Sequence, residues 1–263
     1  MLLLLSPAKT LNYETPVPPA IRRKATEPLY AEQAAALVAV MRGHTAAQVA
    51  ALMDLSAPLA AVNVERYAAW QRQPTARNSK PAVLAFDGDV YTGLDAKTLK
   101  TADLTWAQQH IVILSGLYGA LRPLDRLQPY RLEMGTALKT ARGKDLYAFW
   151  GDTVVQHLNA RQADEERPVI VNLASIEYAQ VVLGPAVRPA LRAQVVDCVF
   201  EERQPDGSHK IVSFFAKKAR GLMARFAIER RARSVRALRA FTTEGYVVAP
   251  EASSPLRLVF RRG

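Results

Sequence analysis

Short apolar runs that end abruptly in polar turns are the feature that most constrains this chain. Residues 1–5 (MLLLL) lead into Ser-Pro-Ala-Lys-Thr, residues 111–114 (IVIL) into Ser-Gly, and residues 169–174 (VIVNLA) into Ser-Ile-Glu-Tyr. A fourth run, residues 82–86 (AVLAF), leads into Asp-Gly-Asp. Such short runs bounded by turn residues are typical of buried β-strands. We therefore predict an α/β or α+β fold, in which residues 1–263 form a single compact domain with a mixed β-sheet and helices on its faces.

Helical patterns and one hairpin fill much of the remaining chain. Apolar residues at helical spacing predict helices over residues 29–43, 46–53, 56–70 and 215–232. Thr45 and Ser56 are placed to cap the second and third of these helices. A Pro-Asp-Gly turn inside residues 194–214 predicts a hairpin, and residues 257–260 predict a strand that closes a sheet.

The polar turns after the predicted strands could meet in one cleft. In open α/β sheets, ligand sites form where the carboxyl ends of strands feed loops. The cleft would then carry the side chains of Lys9, Asp87, Tyr91, Ser115, Tyr118, Asn172, Ser175, Glu177 and Tyr178. The alternative is that these segments are ordinary turns and helix caps, with Ser175 capping a helix that starts at Ile176.

The block from 114 to 135, LSGLYGALRPLDRLQPYRLEMG, has the composition of a binding loop. Gly116 and Gly119 permit close backbone approach, so their N–H groups are candidates for cradling a phosphate. Arg122 and Arg131 are candidates for bidentate phosphate contacts. Tyr118 and Tyr130 are candidates for stacking on a base. A stiff turn that merely connects a strand to later helices is the alternative.

Positive charge is concentrated near the end of the chain. The formal net charge is +11, and residues 214–263 contain twelve basic and three acidic side chains. A helix there would carry Lys217, Lys218, Arg220 and Arg225 close to one face. This distribution favours a polyanionic partner such as nucleic acid. A solvated basic helix in a protein rich in Ala and Arg is the alternative.

Several common functional signatures are absent. The sequence has no GxxxxGK[ST], GxGxxG, GxSxG, CxxC or HExxH pattern, and its four histidines are scattered. We therefore predict no cofactor and no metal site. The single cysteine, Cys198, lies in an alternating run that predicts a packed strand thiol. Four leucines are too few for a signal peptide or a membrane span, so we expect a cytoplasmic protein without a membrane partner.

Several of these segments together resemble the YaaA family of bacterial peroxide stress proteins. The matching stretches are MLLLLSPAKTLNYETP, FDGDVYTGLDA, LSGLYGALRPLDRLQPYRLEMGTAL, ARGKDLYAFWGD, VNLASIEY, FFAKKARGLMARF and EGYVV. They extend from the first residue into the last fifty, in the order found in the family. The resemblance implies a cytoplasmic protein linked to hydrogen peroxide survival, lowered intracellular iron and reduced oxidative DNA damage. It also implies an α/β fold with a positively charged cleft.

The resemblance further implies a helix-hairpin-helix element that binds duplex and branched DNA. Such an element holds DNA through backbone N–H groups of a small hairpin, usually one rich in glycine. Residues 46–70 provide two short helices, but the connection that we predict around residues 59–63 has no glycine. The chain departs from the usual hairpin pattern there.

We favour a DNA-binding stress protein over an enzyme, with DNA as the partner and a monomer as the oligomeric state. The phosphate contacts would come from Lys9, Gly116, Gly119, Arg122, Arg131, Lys217, Lys218, Arg220 and Arg225. The alternative is an enzyme that acts on a nucleotide, nucleobase or nucleic acid in the same cleft. Its candidate catalytic residues are Asp87, Ser115, Tyr118, Glu133 and Glu177. An iron-binding role would need clustered ligands, which the sequence does not present.

Overall fold

Twelve strands and twelve helices alternate irregularly along the chain. The computed structural model describes all 263 residues. The strands are β1 (Leu2–Leu5), β2 (Thr10–Leu11), β3 (Lys80–Pro81), β4 (Phe86–Asp87), β5 (Ile111–Ser115), β6 (Gly119–Leu121), β7 (Arg126–Leu127), β8 (Val169–Leu173), β9 (Gln194–Arg203), β10 (His209–Lys210), β11 (Val247–Val248) and β12 (Arg257–Arg262). Eight of them form one sheet, and the pairs β2–β4 and β3–β7 form two small ribbons.

The helices cover the faces and edges of this sheet. They are α1 (Pro19–Arg22), α2 (Ala31–Arg42), α3 (Ala46–Met53), α4 (Ala57–Ala69), α5 (Ala82–Ala85), α6 (Asp89–Leu94), α7 (Thr101–His110), α8 (Leu146–Trp150), α9 (Thr153–Arg161), α10 (Ile176–Leu183), α11 (Ser213–Glu229) and α12 (Val235–Leu238). Taken singly, none of these helices has the length and apolar composition needed to cross a membrane; the bent pair α2 and α3 meets that test only when the two are taken together.

The main sheet is mixed, with a parallel centre. Its order is β11-β12-β9-β8-β1-β5-β6, and β10 adds to β9. The pairs β12–β9, β9–β8, β8–β1 and β1–β5 are parallel, whereas β5–β6, β11–β12 and β10–β9 are antiparallel. All four leucines of β1 are buried, as a strand covered on both faces requires. The predicted α/β fold class is confirmed.

One strand prediction was wrong, and the predicted hairpin forms with a shorter second strand. The run at residues 82–86 folds as helix α5 followed by the two-residue strand β4, because a short apolar run fits a buried helix as well as a buried strand. The predicted hairpin is truncated: β10 pairs with β9 over only His209 and Lys210, and the apolar residues after Lys210 lead into α11. The helix predicted at residues 215–232 therefore begins two residues earlier and ends three residues earlier, at Glu229.

Helices α3 and α4 are joined by the three-residue turn 54–56. Thr45 caps α3 through a complete capping box with Gln48, as predicted, whereas Ser56 precedes α4 without a side-chain cap bond. The connection that we predicted at residues 59–63 lies inside α4. The real turn also lacks glycine, and Asp54 occupies the left-handed conformation there, so a carboxylate stands where a phosphate-binding hairpin usually has backbone alone.

Candidate functional site

The carboxyl ends of three adjacent parallel strands place three serines at one edge of the sheet. Ser6 follows β1, Ser115 ends β5, and Ser175 follows β8 after one residue. The Ser6 hydroxyl accepts a hydrogen bond from the Ser175 N–H at 2.8 Å and donates to the Ser175 hydroxyl at 3.3 Å. The Tyr91 hydroxyl donates to the Ser6 carbonyl at 3.0 Å. Hydroxyl groups therefore line this edge of the sheet.

Charged side chains also lie at this edge of the sheet. The Lys9 ammonium is 2.7 Å from one oxygen of Glu133, and the Arg131 guanidinium donates to the other oxygen at 3.2 Å. The Glu177 carboxylate accepts a hydrogen bond from the Gly135 N–H at 2.9 Å. We call the set Ser6, Lys9, Arg131, Glu133, Ser175 and Glu177 the strand-end cluster. The Nε atom of Arg131 is buried there without a hydrogen-bond partner.

Tyrosine hydroxyls extend the cluster inward. Burial raises the pKa of Tyr178 and of Tyr91 far above the usual range, and the neighbouring Tyr130 hydroxyl adds to both effects. These phenols therefore stay protonated at neutral pH and act as neutral hydrogen-bond donors. Asp87 lies on β4 and pairs with Thr10 of β2. Thr10 is the residue that follows Lys9.

The structure also places Asn172 near this edge, but its side chain faces β9. Its amide donates to Asp197 at 2.8 Å, and its oxygen accepts from the Ala174 N–H at 3.0 Å. These two bonds fix the end of β8. Asn172 thus positions the chain that leads to Ser175.

Gly116 and Gly119 are buried and packed against protein atoms. A Cβ at Gly116 would lie 2.3 Å from the carbonyl oxygen of Leu132, and one at Gly119 would lie 2.7 Å from the Trp150 ring. The Trp150 indole N–H donates to the Gly116 carbonyl at 3.0 Å. The glycines are needed for close packing, and both lie in the protein interior.

Tyr118, Tyr130 and Ser115 are buried in the same block. The Tyr118 hydroxyl accepts from the Trp70 indole at 2.8 Å, and the Ser115 and Tyr130 hydroxyls are 2.7 Å apart. Burial raises the pKa of Tyr118 to about 12. Since both tyrosine rings lie in the core, neither is placed to stack on a base. The density of special residues in this block reflects internal packing and hydrogen bonding.

Arg122 is used inside the protein. Its guanidinium contacts the fully buried carboxylate of Asp125 at 2.9 Å and donates to the Glu27 carbonyl at 3.1 Å. The Thr26 hydroxyl donates to the same carboxylate at 2.6 Å. Arg122 therefore neutralises a buried charge and is not free to contact a phosphate.

The basic residues of α11 differ in their partners. Lys218 forms an ion pair with Glu244 at 2.6 Å, and Arg225 with Glu229 at 2.9 Å. Arg220 is half-buried, and burial lowers its pKa. Lys217 is exposed and has no carboxylate partner. The helix therefore presents fewer free charges than its sequence suggests. A partner outside the helix, such as Glu244, cannot be recognised from the spacing of residues in the sequence.

Sequence reasoning missed Ser6 as a member of the cluster. Its hydrogen bonds to Ser175 join the ends of β1 and β8. The available signal was its position as the first polar residue after the leucine run. No group of three or more His, Cys, Asp or Glu side chains is arranged to hold a metal ion.

Comparison with known proteins gives the family. A family model described as peroxide stress protein YaaA matches residues 1–252. The chain belongs to the peroxide stress protein YaaA family. It is 62% identical to a UPF0246 protein of Leptothrix cholodnii over 262 residues, which span 100% of this chain and 98% of that protein. UPF0246 proteins of Verminephrobacter eiseniae and Delftia acidovorans are 58% and 56% identical, again over 100% of this chain and 98% of theirs.

The YaaA match covers the whole strand-end cluster and all of α11. Strand β12 begins at Arg257, beyond the matched residues, although it pairs with β9 inside the main sheet. The resemblance on which the sequence interpretation rested is therefore confirmed, and the family is that of a peroxide stress protein.

Proposed function

We propose that the protein binds DNA, mainly through the phosphate backbone. The observation that carries the proposal is a set of cations that no carboxylate neutralises. Of the twelve basic side chains in residues 214–263, five form ion pairs within 4.0 Å. The other seven are Lys217, Arg220, Arg230, Arg233, Arg236, Arg239 and Arg257.

Six of these seven lie on α11 or within ten residues after it. Arg230, Arg233, Arg236 and Arg239 are exposed, as is Lys217. Unpaired exposed cations attract phosphate groups and release condensed counterions when they bind. Contacts of this kind carry no base information, so we expect strong salt dependence and weak sequence preference.

The test is DNA binding by the purified protein across a salt series, with duplex and four-way-junction probes. The variant Lys217→Ala/Arg230→Ala/Arg233→Ala removes three exposed unpaired charges from this region. Each lost phosphate contact lowers the slope of log affinity against log salt by about 0.9. We expect the triple variant to bind more weakly and to show a slope smaller by up to about three.

A matched control is Arg23→Ala/Lys24→Ala/Arg77→Ala, which removes three exposed cations from the first third of the chain. This control should change the slope less than the test variant does. Equal slopes in the two variants, or no binding by the unmodified protein at low salt, would contradict the proposal.

Family membership supports the wider role that we propose for this binding. As a cytoplasmic monomer, the protein would shield DNA during peroxide exposure, with lower free iron and less Fenton damage. Deletion of the gene should raise EPR-detectable iron and DNA lesions after a peroxide pulse. Complementation by the triple variant should leave lesions high. Full protection by that variant would separate the cellular role from DNA binding.

A second candidate function is an enzyme acting on a nucleotide, nucleobase or nucleic acid. The observation that favours it is the strand-end cluster, which contains the Lys9–Glu133 ion pair, the Glu177 carboxylate and the hydrogen-bonded hydroxyls of Ser6 and Ser175. A carboxylate held beside a cation is suited to general acid–base chemistry. Turnover of nucleosides, nucleotides or DNA that Glu133→Gln abolishes would support this function. Turnover that the variant retains would exclude Glu133 as the acid or base, and no turnover by the unmodified protein would exclude the function.

A further inference from the structure

Two adjacent phenylalanines are the only exposed aromatic side chains in the protein. The chain has 8 Phe, 9 Tyr and 3 Trp, and every one of the others is buried or half-buried. Phe214 is 57% exposed and Phe215 is 39% exposed. They occupy the second and third positions of α11. Large apolar rings in water are unfavourable, so two adjacent exposed rings, with Ile211 also 57% exposed just before the helix, mark a contact surface.

The two rings differ in how firmly they are held. The Arg262 guanidinium lies over the Phe215 ring, 4.6 Å from its centre, and donates to Glu202 at 2.8 Å. The Phe214 ring packs edge-to-face on Phe215, with 5.5 Å between ring centres. Phe215 is thus fixed from below, and it supports Phe214, whose ring faces solvent.

The surroundings of Phe214 are basic. Lys217 lies one helical turn further along α11 and is exposed without an acidic partner. Exposed Lys210 precedes the helix by three residues. Glu244, an acid that contacts α11 through Lys218, is already bound by both Lys218 and Arg262. An exposed ring beside free cations fits a ligand that has both a π-face and phosphates.

We propose that Phe214 is a stacking platform for an unpaired base, while Lys210 and Lys217 contact the flanking phosphates. The inference rests on the DNA binding proposed above and names the residue that distinguishes unpaired from paired DNA. Bases inside a duplex are stacked on their neighbours and have no free face. Bulges, junctions and single strands offer one, and aromatic stacking accepts any base.

The experiment compares one duplex with the same duplex carrying a three-base bulge that contains 2-aminopurine. Stacking of one base is worth enough to change affinity about 5-fold or more. We expect Phe214→Ala to lose about 10-fold in affinity for the bulged probe and less than 2-fold for the duplex. The salt slope should stay unchanged because no charge is removed. The unmodified protein should quench 2-aminopurine, whereas Phe214→Ala should not.

Phe214→Trp keeps the stacking face and should restore both affinity and quenching. Val247→Ala truncates another exposed apolar side chain and should match the unmodified protein. Equal losses on duplex and bulge, or no loss on either, would overturn the inference while leaving backbone binding intact. A dimer of the unmodified protein that dissociates in Phe214→Ala, with DNA affinity unchanged, would also overturn the inference. Phe214 would then form a contact between two copies of the chain. No binding of any probe by the unmodified protein would instead refute the proposed function itself.

Discussion

Gly221 of α11 lies directly against the carbonyl oxygen of Val90 in α6: a Cβ built at Gly221 would stand 1.8 Å from it. Gly93 of α6 makes the reciprocal approach, since its Cβ would lie 2.1 Å from the Lys218 carbonyl oxygen. Two glycines thus let the helices cross at backbone contact. Glycine inside a helix usually weakens it, but the missing side chain of Gly221 lets α11 lie close to α6.

Gly221→Ala should therefore destabilise the protein. In an open helix the change would add up to about 1 kcal/mol of stability. Here the obstructing atom is backbone and cannot rotate away, so we expect a loss of about 3 kcal/mol, measured by denaturant unfolding.

Gly207→Ala is the comparison. Gly207 has a φ of +81° but no atom within 4 Å of the added Cβ. The stability lost in Gly207→Ala should come only from the strain of the left-handed backbone, about 1–2 kcal/mol. A Gly221→Ala protein as stable as the unmodified one would show that the helices do not meet in this way.

Arg122→Ala should lower stability and leave the salt slope of DNA binding unchanged. The substitution strips the buried Asp125 carboxylate of its cation, and loss of one partner of a buried pair costs about 3–5 kcal/mol. Arg23→Ala, at an exposed position, should be neutral in stability. A smaller slope of log DNA affinity against log salt, with unchanged stability, would instead show that Arg122 contacts DNA phosphates.

The stability loss in Arg122→Ala should depend on pH. Burial already raises the pKa of Asp125, and Arg122 opposes that rise. Removing the cation raises the pKa further. A group whose pKa is raised on folding stabilises the folded state at low pH, and that contribution disappears as pH rises through the folded pKa. The measured deficit should therefore be smaller at pH 4 than at pH 7.

His157 should make stability pH-dependent in the acid range. Burial, together with Arg161 and Arg122, lowers its pKa from 6.5 to about 4. The folded state favours the neutral ring, so its contribution is complete above pH 6.5 and is lost as pH falls towards 4. The loss is about 3 kcal/mol at most. His157→Gln should flatten this part of the stability curve, whereas His209→Gln should leave it unchanged.

Cys198 should be inert to thiol reagents in the folded protein. It is buried in β9, and burial raises its pKa to about 12, so almost no thiolate exists at neutral pH. Ellman's reagent should label it only after unfolding, and Cys198→Ser should protect cells from peroxide as well as the unmodified protein does. Rapid labelling of the native protein would contradict this.

The sequence was most informative where a local rule was sufficient. The four leucines of β1, the Thr45 capping box and the end of α2 at Gly43 follow from burial, capping and helix termination. Strand order could not be read in this way, because β1 pairs with residues more than a hundred positions away. The strand predicted at residues 82–86 was wrong because a run of five apolar residues has no resolvable period.

The candidate site shows the same division. Polar residues after strands β1 and β8 were recognised. Ser175 bonds Ser6, and Glu177 bonds the Gly135 N–H, two residues after Glu133, the ion-pair partner of Lys9. Arg122 could not be excluded in advance, because a basic side chain looks the same in sequence whether it contacts a phosphate or a buried carboxylate. The difference depends on the burial of Asp125.

The position of β1 also constrains how the protein is made. Leu3 pairs with Ile111 on one side and Val171 on the other. A ribosome therefore releases this leucine strand long before either neighbour exists. Until then it is an apolar strand with two unpaired edges, which is prone to aggregation. Synthesis from the N-terminus thus exposes the leucine run to aggregation before the sheet that buries it can form.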